Sequence, residues 1–297
     1  MDTRTAFILI TGKPNVGKST LLNALLGEKV AIVSSKPQTT RNRITGILTK
    51  GNTQYVFIDT PGLHKPKTLL GDYMMKSVGI ASADADIVLF MTEAGSVLNQ
   101  SERKALSGYF ASNAAVILLI NKIDKVNKGV LAEQMHEVSA QYEFHSIIPV
   151  SALNNDGLDI IFREIEPLLI ESPHFFADDI ATNQPERQIV AEIIREKILR
   201  LTEEEVPHGI AVSIEEFKEK KGVILVRAEI FCEKEGHKRI IIGKNGDMLK
   251  KIGSYAREDI EKLLGARMYL DLWVKVKENW RDRPALLSNF GYKDDEA

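Results

Sequence analysis

The chain has 297 residues, a length that allows two domains of ordinary size, and its hydrophobic content of 44% is enough for real cores. A formal net charge of -2 excludes a globally basic nucleic-acid-binding protein, so any contact with a polyanion requires a local basic patch. No apolar run reaches membrane-spanning length and the first residues lack a signal-peptide apolar region, which predicts a cytoplasmic protein.

The first half of the chain alternates apolar strand patterns with helical patterns. Strands are predicted over 6–10, 43–49, 54–58, 86–91, 115–120 and 146–150, and helices over 18–26, 72–83, 98–112, 129–141 and 157–170. This alternation predicts an α/β domain with a mostly parallel sheet and helices on both faces, spanning residues 1–172. The polar, turn-rich segment 173–185 is predicted to be a linker.

The segment after the first predicted strand fits the phosphate-binding pattern G-x-x-x-x-G-K-[ST]. Gly12 and Gly17 let backbone N–H groups turn toward phosphate oxygens, and the following helix adds the partial positive charge of its N-terminus. Lys18 is predicted to reach the β- and γ-phosphates, and the Ser19 hydroxyl to bind Mg²⁺. The predicted loop consists of Gly12, Lys13, Pro14, Asn15, Val16, Gly17, Lys18, Ser19 and Thr20.

A second motif, Asp59, Thr60, Pro61 and Gly62, follows the strand predicted at 54–58, and Leu63 comes next. An aspartate at the end of this strand can hold Mg²⁺ through water, and Gly62 can offer its N–H to the γ-phosphate. Taken alone the motif is an ordinary turn. Its position one strand after a phosphate-binding loop favours the metal-binding interpretation.

A third motif, Asn121, Lys122, Ile123 and Asp124, follows the strand at 115–120 and resembles the base-reading motif of GTPases. Asp124 can accept hydrogen bonds from the N1–H and exocyclic amine of guanine, a donor pair that adenine lacks. Asn121 and Lys122 are expected to brace this loop and cover the base. In the fourth motif, Ser151, Ala152 and Leu153, the Ala152 N–H is expected to meet the guanine O6. The four motifs together predict a guanine-nucleotide switch.

The second half of the chain, residues 186–297, has a different order of elements. A helix with an apolar stripe from Ile189 to Leu201 precedes two alternating strands, 209–217 and 223–233, joined by a turn at 218–222. A loop at 240–247, a helix to Leu264 and a strand at 266–276 follow. This order predicts an α+β KH domain of type II, and Cys232 falls in its second strand, where burial is expected.

The loop Gly243-Lys244-Asn245-Gly246 fits the G-x-x-G loop by which KH domains clamp a nucleic-acid backbone. Its glycines bring helix-end amides close to phosphates, nearby lysines add positive charge, and two isoleucines form an apolar floor under unstacked bases. The alternatives are a helix–turn–helix and a merely solvated charged face. The predicted RNA-binding residues are Ile241, Ile242, Gly243, Lys244, Asn245, Gly246, Lys250 and Lys251.

Taken together, the two halves resemble the Era family of bacterial GTPases, within the TrmE-Era-EngA-YihA-Septin-like superfamily, over essentially the whole chain. The stretches that carry the resemblance are 12–20, 37–41, 59–64, 121–124, 241–246, 255–257, 259–261, 272–277 and 280–282. Asn245 departs from the family pattern, because many members have glycine there.

The resemblance implies GTP hydrolysis coupled to maturation of the small (30S) ribosomal subunit. It also implies that the KH domain binds single-stranded RNA near the 3′ end of 16S rRNA. The family is linked to peripheral contact with the inner face of the cell membrane, and a monomer is expected. Two other functions remain as alternatives: an RNA-binding assembly chaperone with a vestigial nucleotide site, and a GTP-dependent tRNA-modification factor.

The resemblance also assigns expected roles in hydrolysis. Thr39 and Thr40 lie in switch I, and Thr40 is favoured as the residue that covers Mg²⁺ in the GTP state, which makes Lys18, Thr40 and Gly62 the expected catalytic set. Leu63 stands where Ras-like enzymes place a water-orienting glutamine, so slow intrinsic hydrolysis is expected. Asn15 either helps hold K⁺ against the phosphates or only stabilises the loop through Asx-type bonds.

Overall fold

A computed structural model describes residues 3–220 and 222–292. The described chain forms two compact units: the first comprises residues up to Ala31, Thr40–Lys65 and Met74–Asn183, and the second comprises Ile32–Thr39, Pro66–Tyr73 and the residues from Gln184 onward. Lys221 of the predicted turn and the outermost ends of the predicted domain limits, residues 1–2 and 293–297, lie outside the described residues.

The first half of the chain alternates strands and helices through most of its length. In chain order its elements are β1 (Arg4–Gly12), α1 (Lys18–Leu26), β2 (Ile44–Lys50), β3 (Thr53–Asp59), α2 (Leu69–Ala83), β4 (Ile87–Glu93), α3 (Gln100–Phe110), β5 (Ala115–Asn121), α4 (Lys128–Gln141), β6 (Ser146–Val150), α5 (Leu158–Ile165) and β7 (Ile170–Glu171).

These strands form one sheet in the order β2-β3-β1-β4-β5-β6. Strand β7 pairs with Arg4 and Thr5 at the beginning of β1. The β3, β1, β4, β5 and β6 neighbours are parallel, whereas β2 is antiparallel to β3 and β7 is antiparallel to β1. The predicted mostly parallel α/β sheet is therefore confirmed. Because parallel strands share one carboxyl edge, the loops after β1, β3 and β5 meet at that edge.

Alternate residues of the central strands enter two apolar cores, one on each face of the sheet. Ile8 and Ile10 of β1 pack into one core with Leu21 and Leu22 of α1, while Leu9 packs into the other with Phe90. These side chains are fully buried. Burial of each contributes about 1.5–3 kcal/mol, so the central strands form a rigid base for the loops that follow them.

The predicted helix at 157–170 is too long by one turn. Helix α5 ends at Ile165, a 3₁₀ turn spans Glu166–Leu168, and β7 then pairs with Arg4 and Thr5 of β1. Pro167 lacks a backbone N–H and so cannot continue the α-helical ladder.

The segment after β7 packs against the first unit. The Gln54 Oε1 atom accepts hydrogen bonds from the backbone N–H groups of Phe175 and Phe176, at 2.9 and 3.1 Å. Thr182 Oγ1 donates to the Thr45 carbonyl at 2.7 Å. The predicted linker 173–185 thus makes specific contacts through most of its length, and the predicted domain limits themselves stay a prediction from sequence.

The second unit contains α6 (Glu186–Leu201), β8 (Ala211–Lys220), β9 (Val223–Cys232), α7 (Glu235–Ile242), α8 (Asp247–Leu264), β10 (Arg267–Val276) and a short helix α9 (Pro284–Asn289) that the sequence did not predict. Strand β9 lies between β8, to which it is antiparallel, and β10, to which it is parallel. This order and pairing agree with the predicted α+β KH fold.

The core of this unit fills the space between the helices and one face of the three-stranded sheet. Ile194 and Ile198 of α6 pack with Ile252 of α8 and with Val226 of β9. Cys232 is buried in β9, as predicted, and burial raises the pKa of its thiol to about 11. Among the described residues, no helix combines the length and the apolar character that a membrane crossing requires.

Candidate functional site

The loop between β1 and α1 depends on two glycines for its shape. Gly12 has φ 141° and Gly17 has φ 105°, values that side-chain-bearing residues rarely adopt. A Cβ atom on Gly12 would lie 2.3 Å from the Met91 carbonyl oxygen, and one on Gly17 would lie 2.3 Å from the Asn121 Nδ2 atom. Both glycines are therefore fixed by backbone conformation and by packing, and the loop sits directly against the end of β5.

Lys18 is the first residue of α1 and its side chain turns back over the loop. Its Nζ donates to the carbonyls of Gly12 and Lys13, at 3.2 and 3.0 Å. Burial lowers the pKa of this ammonium to about 8, although the nearby Asp59 carboxylate favours the charged form. The hydrogen-bond acceptors of this buried ammonium are two neutral carbonyls. It can therefore form stronger, charge-assisted hydrogen bonds with phosphate oxygens.

Three oxygen atoms from separate segments meet beside this lysine. Ser19 Oγ lies 2.8 Å from Thr40 Oγ1 and donates to Asp59 Oδ2 at 2.6 Å, and Thr40 Oγ1 lies 3.4 Å from the same carboxylate oxygen. The other oxygen of Asp59, Oδ1, is buried without a hydrogen-bond partner. Oxygen ligands of this kind suit Mg²⁺, so the residues present fit the ion that the sequence predicts.

Asp59 is fully buried at the end of β3. Burial raises the pKa of its carboxyl to about 6, while Lys18 and the hydroxyls of Ser19 and Thr40 oppose that rise. The group is therefore mainly ionised at neutral pH. Its position follows from the sheet register, because Asp59 pairs with Ile10 in the parallel neighbour β1 and so lies next to the phosphate-binding loop.

The Asp-Thr-Pro-Gly segment leads from β3 across the phosphate-binding loop. A Cβ atom on Gly62 would lie 2.6 Å from the backbone nitrogen of Pro14, so only glycine permits this approach. The backbone N–H of Leu63 donates to the Gly12 carbonyl at 3.0 Å, and the Leu63 side chain packs against an apolar core. The Thr60 hydroxyl donates to the Ile10 carbonyl at 3.0 Å.

The base-reading loops are joined through one side-chain amide. The Asn121 Nδ2 atom donates to the Val16 carbonyl at 2.7 Å, and its Oδ1 accepts from the Ala152 N–H at 3.0 Å. Asp124 accepts a 2.6 Å hydrogen bond from the Ser151 hydroxyl, which fixes one of its oxygens. The structure therefore brings the first, third and fourth motifs together.

Lys122 has a left-handed backbone, with φ 66°, and its Nζ lies 3.0 Å from a carboxylate oxygen of Glu93. Glu93 lies outside the four sequence motifs. Its place in the sequence that could have indicated a role is the carboxyl end of β4, which lies next to β5 in the sheet. Its carboxylate fixes the direction of the Lys122 side chain, which is predicted to cover the base.

The second unit carries the predicted G-x-x-G loop between α7 and α8. Gly243, Asn245 and Gly246 have φ angles of 74°, 54° and 83°. A Cβ atom on Gly243 would lie 2.6 Å from the Met248 Cβ atom, so glycine is required there, whereas a Cβ atom on Gly246 would meet open space. Asparagine tolerates the left-handed region better than most residues, which explains how Asn245 can occupy this position.

A groove of about 480 Å³ runs from this loop between α8 and β10. It is lined by Gly246, Leu249, Lys250, Gly253, Ser254, Arg257, Tyr269, Leu270 and Leu272. The Tyr269 side chain is 64% exposed, so its ring is available for stacking on a base. Tyr269 and Arg257 were not among the predicted RNA-binding residues. They could have been found in the sequence because Arg257 lies on the helix that follows the loop and Tyr269 lies on the next strand.

One predicted RNA contact requires correction. Ile241 is 0% exposed and belongs to the core of the second unit, so it supports the loop from below and cannot touch a base. Ile242 is half-buried, and the side chains of Lys244, Asn245, Lys250 and Lys251 are exposed. Lys250 lines the groove, and the other exposed lysines and Asn245 add positive charge and hydrogen-bond donors on the loop and helix that border it.

Comparisons with known proteins agree with this geometry. Residues 7–122 match the family model described as 50S ribosome-binding GTPase, and residues 205–281 match that of the KH domain. The chain is 46% identical to the GTPase Era of Ruminiclostridium cellulolyticum over 294 residues, which are 99% of each chain. It is 48% identical to that of Clostridium kluyveri over 98% of this chain and 99% of the relative.

The chain belongs to the Era family of GTPases. A crystal structure of Aquifex aeolicus Era bound to GDP·AlF4⁻ has a TM-score of 0.95 and 40% identity, covering 98% of this chain and 100% of that one. A structure of Era in complex with MgGDPNP and nucleotides 1506–1542 of 16S ribosomal RNA has a TM-score of 0.93 with the same identity and coverage. This Era-family chain is therefore a GTP-hydrolysing enzyme with a KH domain.

Lys18 is expected to make nucleotide binding depend on pH. The pKa of about 8 in the ligand-free protein means that the amine loses its proton above that pH, and bound phosphates stabilise the charged form. Binding of GDP at about pH 9 is therefore expected to take up protons, roughly one per nucleotide as an upper limit, and to weaken as the pH rises further. Calorimetry in two buffers with different ionisation enthalpies measures this uptake.

The control for this measurement is Lys18→Arg, which keeps the charge but stays protonated at this pH. The variant is expected to bind GDP without proton uptake at about pH 9. Equal uptake in the parent protein and in this variant would show that another group titrates.

Proposed function

We propose that this chain is a GTP-driven switch that binds the 3′ end of 16S rRNA through its KH domain and assists assembly of the small (30S) ribosomal subunit. The observation that carries the proposal is the presence, in one chain, of nucleotide motifs joined by hydrogen bonds and of an exposed groove beside the G-x-x-G loop. A relative that matches over nearly the whole length has been solved with MgGDPNP and a 16S rRNA segment, which supports the same pair of ligands for this chain.

In the nucleotide site, Lys18 would exchange its two carbonyl partners for oxygens of the β- and γ-phosphates. Gly62 lies against Pro14 without a side chain, so its N–H can approach the γ-phosphate. Positioned charges and N–H donors supply most of the catalysis in phosphoryl transfer, because they stabilise charge that develops in the transition state. Lys18, Thr40 and Gly62 are the proposed catalytic residues.

The three oxygens of Ser19, Thr40 and Asp59 would hold Mg²⁺, Asp59 through a water molecule. When bound, this ion would neutralise negative charge on the phosphate oxygens. The chain's own contribution is a preformed set of ligands: two hydroxyls within hydrogen-bond reach of an ionised carboxylate that has one unpartnered oxygen.

Intrinsic hydrolysis is proposed to be slow. The Leu63 side chain packs into an apolar core and has no polar atom with which to orient water. A partner that binds the GTP form is therefore required for rapid turnover, and a ribosomal subunit fits that role because the same chain carries the RNA groove.

The RNA-binding proposal depends on a local excess of positive charge. Lys244, Lys250 and Arg257 are exposed along or beside the groove, although the whole chain is slightly acidic. Flanking apolar residues, Leu249 and Leu272, would contact unstacked bases. An assembly chaperone with a vestigial nucleotide site is disfavoured, because the Asn121, Asp124 and Ser151 network is complete.

A potassium ion is the proposed accessory cofactor. Asn15 is exposed on the phosphate-binding loop and has a left-handed backbone with φ 64°, a geometry compatible with both a K⁺ ligand and Asx-type stabilisation. If it helps hold K⁺, GTP turnover in KCl is expected to exceed that in NaCl at matched ionic strength by roughly tenfold, because a cation between phosphates stabilises developing charge. Asn15→Ala should remove the difference, whereas equal rates in both salts would leave only the stabilising role.

RNA binding is expected to be separable from GTP hydrolysis. Lys244→Asp combined with Asn245→Asp places two carboxylates where a phosphate backbone would run. This double variant should weaken binding of a single-stranded 16S 3′-end RNA by about 100-fold or more and reduce the salt dependence of the remaining binding. GTP turnover without RNA should be unchanged. Fluorescence anisotropy and phosphate release on the same preparation measure both activities.

The matched control is Lys104→Asp combined with Asn113→Asp, which applies the same change of charge to exposed residues of the first unit. This control is expected to bind RNA within about twofold of the parent protein, since it leaves the groove intact. Undiminished RNA binding by the folded G-x-x-G variant would refute the KH assignment.

A further inference from the structure

The outer face of strand β10 carries two exposed aromatic side chains. Tyr269 is 64% exposed and Trp273 is 57% exposed, and both belong to the second unit. Successive side chains of a strand point to opposite faces of the sheet, so residues four positions apart share a face. Leu270 and Leu272, which alternate with them, pack against the core instead. The two rings therefore lie on one side of the sheet, about 13 Å apart along the strand.

Exposed apolar residues that are scattered singly are common on protein surfaces and need no function. This pair differs in two respects. Tyr269 lines the groove that runs from the G-x-x-G loop, so the row of rings begins at the proposed RNA site. Trp273 continues the row along the same strand, beyond the residues that line the groove. The two rings therefore extend a surface to which RNA is already proposed to bind.

The indole of Trp273 is held in a defined orientation. Its Nε1 donates to Asp271 Oδ2 at 2.9 Å, and the Arg227 Nε of the neighbouring strand β9 donates to the same oxygen at 3.4 Å. The polar edge of the indole is thus fixed, while more than half of the residue remains exposed. An aromatic side chain that is already oriented loses less conformational freedom when a ligand binds. A flat ligand can therefore stack on Trp273 at a lower entropic cost than on a mobile ring.

The charges around the two rings do not exclude a polyanion. Asp271 lies between the rings on the same face, but Arg227 forms an ion pair with it. Glu229 of β9 is paired in the same way with Lys275 of β10. Arg267, at the beginning of β10, is exposed and adds a positive charge to this face. The balance is close to neutral, which suits stacking of bases better than charge-driven contacts with phosphates.

We propose that Tyr269 and Trp273 form a base-stacking row, which binds nucleotides of a single-stranded RNA beyond those in the G-x-x-G groove. Every base has a flat π face, so such contacts accept any sequence. A few nucleotides of an RNA strand span the ~13 Å between the two positions. The inference rests on the RNA-binding function proposed above. It adds a second contact, made through bases, that lies outside the loop and its lysines.

Removal of the Trp273 ring is expected to weaken RNA binding without changing its salt dependence. Trp273→Ala in the full chain should raise the Kd for a single-stranded RNA with the 16S 3′-end sequence by roughly tenfold, because one stacked base is lost. Stacking releases no counterions, so the slope of log Kd against log salt should equal that of the parent protein. Trp273→Phe, which keeps an aromatic face, should bind within about threefold of the parent protein. Fluorescence anisotropy at several KCl concentrations measures both quantities.

The matched control is Tyr255→Ala. Tyr255 is 45% exposed on α8, the helix that borders the groove, but it does not line the groove. This variant should bind the same RNA within about twofold of the parent protein, since it removes an exposed ring outside the stacking row. Equal losses of affinity in Tyr255→Ala and Trp273→Ala would show that any exposed ring of this unit has the same effect, and would overturn the proposal.

The chain's own fluorescence provides a direct readout of stacking. It has two tryptophans, and the second, Trp280, is 0% exposed with its Nε1 donating to the Gly209 carbonyl at 2.9 Å. Bound RNA should quench the emission of Trp273 and protect this residue from acrylamide. Trp273→Phe, which keeps Trp280, should show neither effect. Unchanged emission and acrylamide quenching of the parent protein at saturating RNA would overturn the proposal.

The G-x-x-G double variant, Lys244→Asp combined with Asn245→Asp, distinguishes failure of this inference from failure of the RNA-binding function. Loss of RNA binding in that variant with parental affinity in Trp273→Ala would overturn the stacking row alone. Undiminished binding in the double variant would remove the groove assignment, and the inference with it. A reduced salt slope in Trp273→Ala would show that the substitution disturbs phosphate contacts in the groove, and would refute a separate stacking contact.

Discussion

The side-chain amide of Asn121 is the contact on which the nucleotide site depends. Through one amide group it donates to the carbonyl of Val16 in the phosphate-binding loop and accepts from the amide of Ala152 in the last base-reading loop. Each of these hydrogen bonds contributes only about 0.5–1.5 kcal/mol, but both are buried, so the loss of either would leave an unsatisfied polar group. The loops proposed to bind the phosphates and the base are therefore joined by one residue.

The parallel sheet makes that arrangement possible. Strands β1 and β5 lie on either side of β4, and their carboxyl ends deliver Gly12 and Asn121 to the same edge. The close approach of Gly17 to Asn121 excludes any side chain between them. On the other flank of β1, the register of β3 brings Asp59 to the same edge, so the proposed metal ligand Asp59 and the proposed base loops share one support.

Most of this site could be predicted from the sequence, because its chemistry lies in short contiguous motifs that follow apolar strands. The element order of the KH domain was predicted from the apolar periodicity of its helices and strands. The burial of Cys232 was predicted from its place in one of those strands. Boundaries were less well predicted: β7 is two residues long and pairs with β1 across about 165 positions, and so short a strand has no period to detect. Pro167, which lies in the 3₁₀ turn after α5, is the sequence signal for the end of that helix.

The features that could not be predicted are those that depend on which face of an element is covered. Ile240, Ile241 and Ile242 are chemically identical neighbours, yet only Ile241 enters the core. Arg195, Glu196 and Lys197 interrupt the apolar stripe of α6 and look solvent-facing, although all three are buried. Arg195 and Glu196 contact the segment 32–39, and Lys197 contacts Asp259 of α8. Sequence periodicity describes one contact face of a helix and does not detect a second one.

This chain is proposed to read guanine through Asp124, whose carboxylate accepts a hydrogen bond from the Ser151 hydroxyl. The most direct measurement is the affinity of Asp124→Asn for GTP and for xanthosine triphosphate, compared with the parent chain. The amide replaces an acceptor by a donor, so GTP affinity should fall by about 100-fold or more while xanthosine triphosphate, which carries an oxygen in place of the exocyclic amine, gains. An Asp124→Asn chain that still bound GTP with parental affinity and preference would contradict this account of the site.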